Sequence, residues 1–191
     1  MATKAELRTL YKEKRRQLEP AQWRQLSEKV VKHALVYLAV RPQIQHIHVF
    51  LPIKRLYEID TLPLIDVLAQ KGKAIYTSIS DHDKQQMKTI RVAADHDYKE
   101  DKYGIPVPTT WEKGDEAMVQ LIFIPLLAYD LKGHRLGYGK GFYDRFLSQF
   151  PKEVVKAGLS LFTPEDKIPT EPHDVPLDIC INPDGVRTFS I

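Results

Sequence analysis

Apolar positions in the first forty residues recur at helical spacing. Leu7, Leu10, Tyr11 and Leu18 can share one stripe of a helix over residues 3 to 18, and Thr3 with Glu6 fits a capping box at its start. A second helix is predicted after Pro20, where Trp23, Leu26, Val30, Ala34 and Leu38 repeat with the same period and read as core. The pattern then changes. Ile47 to Leu51 is a short apolar run closed by Pro52, and Lys73 to Ile79 is another; both read as strands. Between them, Asp60 or Thr61 caps a helix with Leu64, Ile65 and Leu68 inside and Lys71-Gly72 as its stop. Residues 86 to 93 form a further candidate strand. Residues 95 to 114, rich in charge and proline, read as a long loop around Tyr103-Gly104-Ile105-Pro106. Gln120 to Ile124, closed by Pro125, has the continuous apolar character of a buried strand. Turn residues Asp130 to Gly133, a glycine-rich loop, a helix from about Phe142 to Phe150 and a last strand from Val154 to Leu161 complete the series.

Strands alternating with helices predict an α/β fold, a three-layer Rossmann-like domain with a mainly parallel central sheet flanked by helices. With no internal repeat and no linker, a single domain over residues 1–191 is expected. Composition narrows the function classes. Hydrophobic residues make up 43% and charged residues 28%, as in ordinary globular proteins. No apolar stretch is long enough to cross a bilayer, and the N-terminus lacks the features of a signal peptide. The one cysteine, Cys180, cannot form an internal disulfide, which suits a cytoplasmic protein. A net charge of +3 is too small to argue for nucleic acid, and Lys12, Lys14, Arg15 and Arg16 read as a solvated helix face. The seven histidines include no HExxH, and His46 and His48 read as strand residues.

The chemistry concentrates in Arg135-Leu136-Gly137-Tyr138-Gly139-Lys140-Gly141-Phe142-Tyr143-Asp144. Three alternating glycines allow a tight turn and bring backbone N–H groups close to an anion. A helix start follows, and Arg135 and Lys140 add full positive charge, so the stretch describes a polyphosphate cradle. It has neither the Gly-Lys-Ser/Thr ending of a Walker loop nor dinucleotide-type glycine spacing, and a turn that merely joins strand to helix is the alternative. Asp144 is placed to hold magnesium beside phosphates, or else to sit at a helix start for the sake of its dipole. Lys4 and Arg8, four apart on one helix face, could clamp an oligophosphate or form a solvated pair. Glu58 follows a strand end and could meet a polar heterocycle, or be a surface glutamate. Asp174, between Pro172 and Pro176, is a second magnesium candidate or a turn aspartate.

The Arg135–Asp144 stretch resembles the signature of the 5-formyltetrahydrofolate cyclo-ligases, and Ile124 to Asp130 with Gly133 resembles its lead-in. Lys4 to Arg8, Phe50 to Thr61 and Pro172 to Asp178 fit the same family in order, so the resemblance spans nearly the whole chain. It implies conversion of 5-formyltetrahydrofolate to 5,10-methenyltetrahydrofolate with release of ADP and phosphate, dependent on ATP and Mg2+, through a phosphorylated formyl group. ATP contacts are implied for Lys4, Ala5, Glu6, Leu7 and Arg8, and for Arg135, Leu136, Gly137, Tyr138, Gly139, Lys140, Gly141, Phe142 and Tyr143. Among these, Arg135, Lys140 and Tyr143 would act on the reacting groups. Folate contacts are implied for Leu51, Glu58 and Tyr103, the last stacking on the pterin ring, and magnesium for Asp144 and Asp174. The implied partners are these small molecules, with no nucleic acid and no membrane. The oligomeric state is left open, a monomer being the simpler expectation. Two features depart from many members: two extra residues ahead of Glu58 in Ile53–Tyr57, and Val107 where an acid is common. A paralogue binding a nucleotide or sugar phosphate on the same fold is the alternative.

Overall fold

Thr3 caps helix α1 (Lys4–Arg16) as its spacing from Glu6 predicts. Glu6 N–H donates to Thr3 Oγ1 at 3.2 Å, and Thr3 N–H donates to Glu6 Oε2 at 2.7 Å. The computed structural model describes residues 2–81, 83–84, 86–92, 97–102 and 104–189. Pro20 opens helix α2 (Pro20–Ala39), which buries Val30, Val31, Ala34, Tyr37 and Leu38 along one stripe. Strand β1 (His46–His48) is shorter than its apolar run. Val49 N–H still donates to Tyr76 O at 2.8 Å, whereas Phe50 and Leu51 continue past the ladder, both buried. Helix α3 (Leu62–Gln70) follows, with Asp60 rather than Thr61 capping: Leu62 N–H donates to Asp60 Oδ1 at 3.2 Å, while Thr61 Oγ1 donates to Phe50 O at 2.6 Å.

Strands β2 (Ala74–Asp81) and β3 (Gln86–Val92) form an antiparallel pair. The stretch expected to be one long loop carries three short strands instead: β4 (Tyr98–Glu100), β5 (Pro106–Pro108) and β6 (Trp111–Lys113). β4 and β5 pair with each other, and β6 covers the edge of β3. Each has only three residues, too few for an alternation of apolar and polar positions to announce it, and those of β4 and β6 are largely exposed.

Strand β7 (Leu121–Pro125) is buried as predicted, and a small hairpin of β8 (Ala128–Tyr129) and β9 (Arg135–Leu136) follows it. Helix α4 (Phe142–Leu147) ends before the predicted Phe150, because Gln149 and Phe150 bond back to Phe146 and Leu147 in tighter turns ahead of Pro151. Strand β10 (Val155–Leu159) is not the last. β11 (Ile179–Asn182) and β12 (Gly185–Thr188) follow, one too short and the other too exposed to stand out in the sequence.

The main sheet runs β12-β11-β10-β7-β1-β2-β3-β6, with parallel pairing from β11 to β2 and antiparallel strands on both flanks. Alternation within the strands divides the core. Ile47, Leu121, Phe123, Ile179 and Ile181 face α2 and α3, whereas Ile122, Ile124 and Cys180 pack with Phe146 and Leu147 of α4. The result is the expected three-layer α/β arrangement, with a single short helix on its second face. β2 lies on one side of β1 and β7 on the other, so the chain reverses direction across the sheet at β1. The carboxyl ends of β1 and β7 open a crevice there. Leu7 and Tyr11 of α1 pack beside it on Leu127, Ala128, Leu136 and Ile168. Among the described residues no helix is long and apolar enough to cross a membrane.

His48, in the centre of the sheet, is fully buried beside the Phe146 ring at 5.1 Å, and neither ring nitrogen has a hydrogen-bond partner. Burial pushes its pKa down to about 3. Below about pH 6.5 the unfolded chain therefore binds a proton that the folded chain refuses, and stability falls as pH drops from there toward 3. Replacing His48 with Leu should remove on the order of 2 kcal/mol of the stability lost between about pH 6.5 and pH 5. Urea unfolding at those two pH values checks this; a variant as acid-sensitive as the parent would refute the assignment.

Candidate functional site

A cavity of about 430 Å³ opens where the β1–β7 crevice meets α1, the loop between β9 and α4, and the 171–174 loop. Local chemistry in the β8–β9 hairpin sets the first wall. Asp130 is fully buried. Its Oδ1 accepts from the N–H groups of Lys132 at 2.9 Å and His134 at 3.0 Å. Its Oδ2 accepts from Ile168 N–H at 3.0 Å and is bonded to His134 Nδ1 at 2.9 Å. These bonds outweigh the effect of burial and hold its carboxyl below the usual range. The fixed turn delivers Arg135 into the cavity wall, 8% exposed, with Nη2 donating to Asp144 Oδ1 at 2.6 Å and Nη1 to Val175 O. Burial draws the Arg135 pKa down, and the charge of Asp144 opposes that.

The glycine loop is folded against α1. Gly139 has φ +93°, and a Cβ there would lie 3.0 Å from the Arg8 guanidinium. Arg8 Nε donates to Gly137 O at 3.1 Å. Gly137 is different: a Cβ would meet open space on the cavity side. Gly141, at φ +65°, opens α4. That helix has only six residues, so its dipole adds less than the sequence suggests, and the cations carry the field. Lys4 Nζ lies 2.6 Å from Asp174 Oδ2 and 3.1 Å from Glu171 Oε2. Burial works against the Lys4 charge, but these two acids hold its pKa above the ordinary value. Asp174 is held low in turn: Lys4 and the Glu171 N–H outweigh its burial.

Lys4 and Arg8 are therefore not a solvated pair: Lys4 is tied to the 171–174 loop and Arg8 to the glycine loop. Lys12, one turn further on, lines the same cavity. Ala5, Glu6 and Leu7 are not brought to it: Glu6 belongs to the cap and Leu7 to the core. Leu136, Gly137, Tyr138, Gly139, Lys140, Gly141, Phe142, Tyr143 and Asp144 all line it.

Leu51 and Glu58 line the other end, with Phe50 and Ile105. Glu58 is no surface residue; it is 3% exposed. Its Oε2 accepts from Ile53 N–H at 2.9 Å, Trp23 Nε1 donates to its backbone oxygen at 3.0 Å, and its carboxylate is hydrogen-bonded to Tyr138. Burial raises its pKa, with Ile53, Arg15 and Tyr138 working against the rise. Tyr143 is also pushed up, by burial first and by the charge of Glu58 second. Tyr103 lies outside the described residues.

One residue read as solvated is not. Arg15 is 2% exposed; its Nη1 donates to Tyr138 Oη at 2.7 Å and its Nη2 to Leu126 O at 2.5 Å. Its place seven residues after Arg8, next to the buried Tyr11 stripe, is the only hint in the sequence.

The cavity thus joins a cation-rich, glycine-lined end to an apolar end with one buried acid. The sequence matches the 5-formyltetrahydrofolate cyclo-ligase family over residues 1–183. The chain belongs to that family. It is 32% identical to the 5-formyltetrahydrofolate cyclo-ligase of Haemophilus influenzae, over 90% of this chain and 93% of the relative. The Mycoplasma genitalium cyclo-ligase is 30% identical over 95% and 98%. The solution structure of Aquifex aeolicus 5,10-methenyltetrahydrofolate synthetase superposes with a TM-score of 0.80 at 29% identity, covering 98% of this chain and 93% of that one. In the family signature of this chain, the first two glycines of the loop meet different surroundings. Gly139→Ala should cost about 1–2 kcal/mol, since an L side chain is strained at its φ. Gly137→Ala should stay within ~0.5 kcal/mol of the parent. Thermal unfolding of both variants checks the difference, and equal losses would contradict the loop geometry.

Proposed function

We propose that the protein cyclises 5-formyltetrahydrofolate to 5,10-methenyltetrahydrofolate, consuming ATP and releasing ADP and phosphate. The observation that carries this reading is one cavity with a phosphate-type end and a heterocycle-type end, inside a chain of the cyclo-ligase family. Lys4, Arg8, Arg135 and Lys140 would hold the triphosphate over the glycine loop, where the open face of Gly137 leaves room for phosphate oxygens. Glu58 would accept from the polar edge of the pterin, with Leu51 and Phe50 against its ring. Tyr103 would stack on that ring.

The donor set suits magnesium. Asp144 and Asp174 both act electrostatically on Arg135, and Glu171 Oε, His173 and Asp174 present ligand atoms within 4.8 Å of one another. Hard carboxylate oxygens beside a phosphate cradle are what this ion prefers. Held there, magnesium would supply charge neutralisation at the phosphate oxygens.

In the proposed reaction the formyl oxygen attacks the γ-phosphorus, the bond to ADP breaks, and N5 takes up the positive charge of an iminium phosphate. N10 then adds to the formyl carbon and gives up its proton, and phosphate departs with the formyl oxygen. The amide oxygen is a poor leaving group until it is phosphorylated. The chain's own contribution is alignment and charge. Arg135 and Lys140 face the migrating phosphoryl group, while Tyr143, kept protonated by burial, offers a hydroxyl between Glu58 and Arg135. The first step needs no general base.

Ultraviolet absorbance of the purified protein with 5-formyltetrahydrofolate, magnesium and ATP should show the methenyl chromophore growing only when ATP is present. Asp144→Ala and Arg135→Ala should each slow it by about a hundredfold or more, the scale for a preorganised charge contact. A folded protein that forms no chromophore would overturn the reading. Two variants of near-parental rate would overturn the site.

A further inference from the structure

Arg15 does not line the cavity, yet it is among the most thoroughly buried charges of the chain. Its guanidinium joins four elements. It stands on α1, donates to Leu126 O just beyond β7, reaches Leu56 O in the 53–58 loop at 3.4 Å, and donates to Tyr138 Oη in the glycine loop. Its Nε is buried with no partner. A buried cation costs several kcal/mol unless a counter-charge offsets it. The acid that meets this need is Glu58, one hydroxyl away: Tyr138 accepts from Arg15 and donates to Glu58. Neither charge is suited to its site alone. Together they form a pair bridged by a phenol, with the guanidinium fork fixing the direction of two bonds.

We propose that Arg15 is a positioning residue for the folate end of the cavity, acting through Tyr138 to keep the Glu58 carboxylate charged and aimed at the pterin edge. This rests on the function proposed above. An ionised carboxylate has only acceptor sites and can take two N–H donors from an amino-pyrimidine edge; a protonated one loses part of that capacity. The groups facing Glu58 are Arg15 from α1, Tyr138 from the glycine loop, Tyr143 from α4 and Arg55 from its own loop. Of these, Arg15 is cationic and tied to Glu58 through a buried hydrogen-bonded bridge.

The test is calorimetric titration of 5-formyltetrahydrofolate, without nucleotide, across about pH 5 to 9, into the parent and the Arg15→Met, Arg15→Lys and Tyr138→Phe variants. In the parent, affinity should fall on the acid side as Glu58 gains its proton. In Arg15→Met and Tyr138→Phe the midpoint should move upward by about one pH unit, which is about tenfold weaker binding along the acid limb. Arg15→Lys, which keeps the charge, should stay near the parental midpoint. In the two Arg15 variants, ATP affinity with magnesium should change less than about twofold, because Arg15 does not line the cavity. Should Arg15→Met fail to fold by circular dichroism, Tyr138→Phe decides, since it removes only the bridging hydroxyl. An unmoved midpoint in the folded variants would overturn the proposal, as would equal loss of both ligands in Arg15→Met, the mark of a purely structural role. A parent that binds ATP but no folate at any pH would instead overturn the function on which the proposal rests.

Discussion

A buried guanidinium has to be met by a charge and by carbonyl oxygens, and in this chain Arg135 meets both within one small region. Its Nη2 takes Asp144 at the start of α4, and its Nη1 takes the carbonyl of Val175. The Val175 N–H in turn donates to Asp144 at 3.2 Å, so one residue is held through both its backbone N–H and its carbonyl between the two partners. Because Val175 is pinned, its neighbour Asp174 is brought to face Lys4, and the first helix is latched across the cavity. The hairpin, the short helix, the C-terminal loop and the N-terminal helix are thus organised around a single cation. Removing that cation would leave Asp144 without its partner and would loosen the loop that carries Asp174.

Much of this was legible because the sequence expresses it as period or as local chemistry. Thr3 and Glu6 specify a helix start by themselves, and the apolar stripe of α2 needs nothing beyond its own spacing. The glycine loop could be read as a cradle because alternate glycines have few other uses beside paired cations. The features that escaped depend on partners far away in the chain. Arg15 looks like its neighbours Lys14 and Arg16 until Leu126 and Tyr138 are brought to it. The strands β4, β5 and β6 have three residues each, β4 and β5 paired with each other and β6 at the edge of β3, too short for a pattern to show. Ala5, Glu6 and Leu7 were assigned with a motif, but a helix turns through its positions, and only every fourth residue of α1 reaches the cavity.

The glycine loop also shows how one short segment reaches two unlike ends of the cavity. Arg8 lies on Gly137 and Gly139, where the absence of side chains lets a cation and a backbone come together. Between these glycines, Tyr138 extends its ring to the opposite end of the cavity and joins Glu58 to Arg15. Glycine and large residue alternate, so the same stretch presents backbone to the cation-rich end and an aromatic hydroxyl to the acidic one. A side chain at Gly139 would push Arg8 away, and the loss of the Tyr138 hydroxyl would part Glu58 from its counter-charge.

The charges at the cation-rich end are neutralised by the chain itself: Lys4 by Asp174 and Glu171, Arg135 by Asp144. An anionic ligand arriving alone has to compete with those carboxylates for the cations, and a divalent ion arriving alone has to compete with the cations for the carboxylates. When both arrive, the exchange balances, since the phosphates take the cations and the released carboxylates face the ion. Self-pairing therefore keeps the empty cavity from accumulating like charges in a partly desolvated place, and on the proposed function it would favour the metal-bound form of a polyphosphate over either component. Glu58 differs, because its counter-charge Arg15 is buried behind Tyr138 and does not line the cavity. On the proposed function, the heterocycle would therefore meet a partner set before any ligand enters, while the phosphate end would be completed by what it binds.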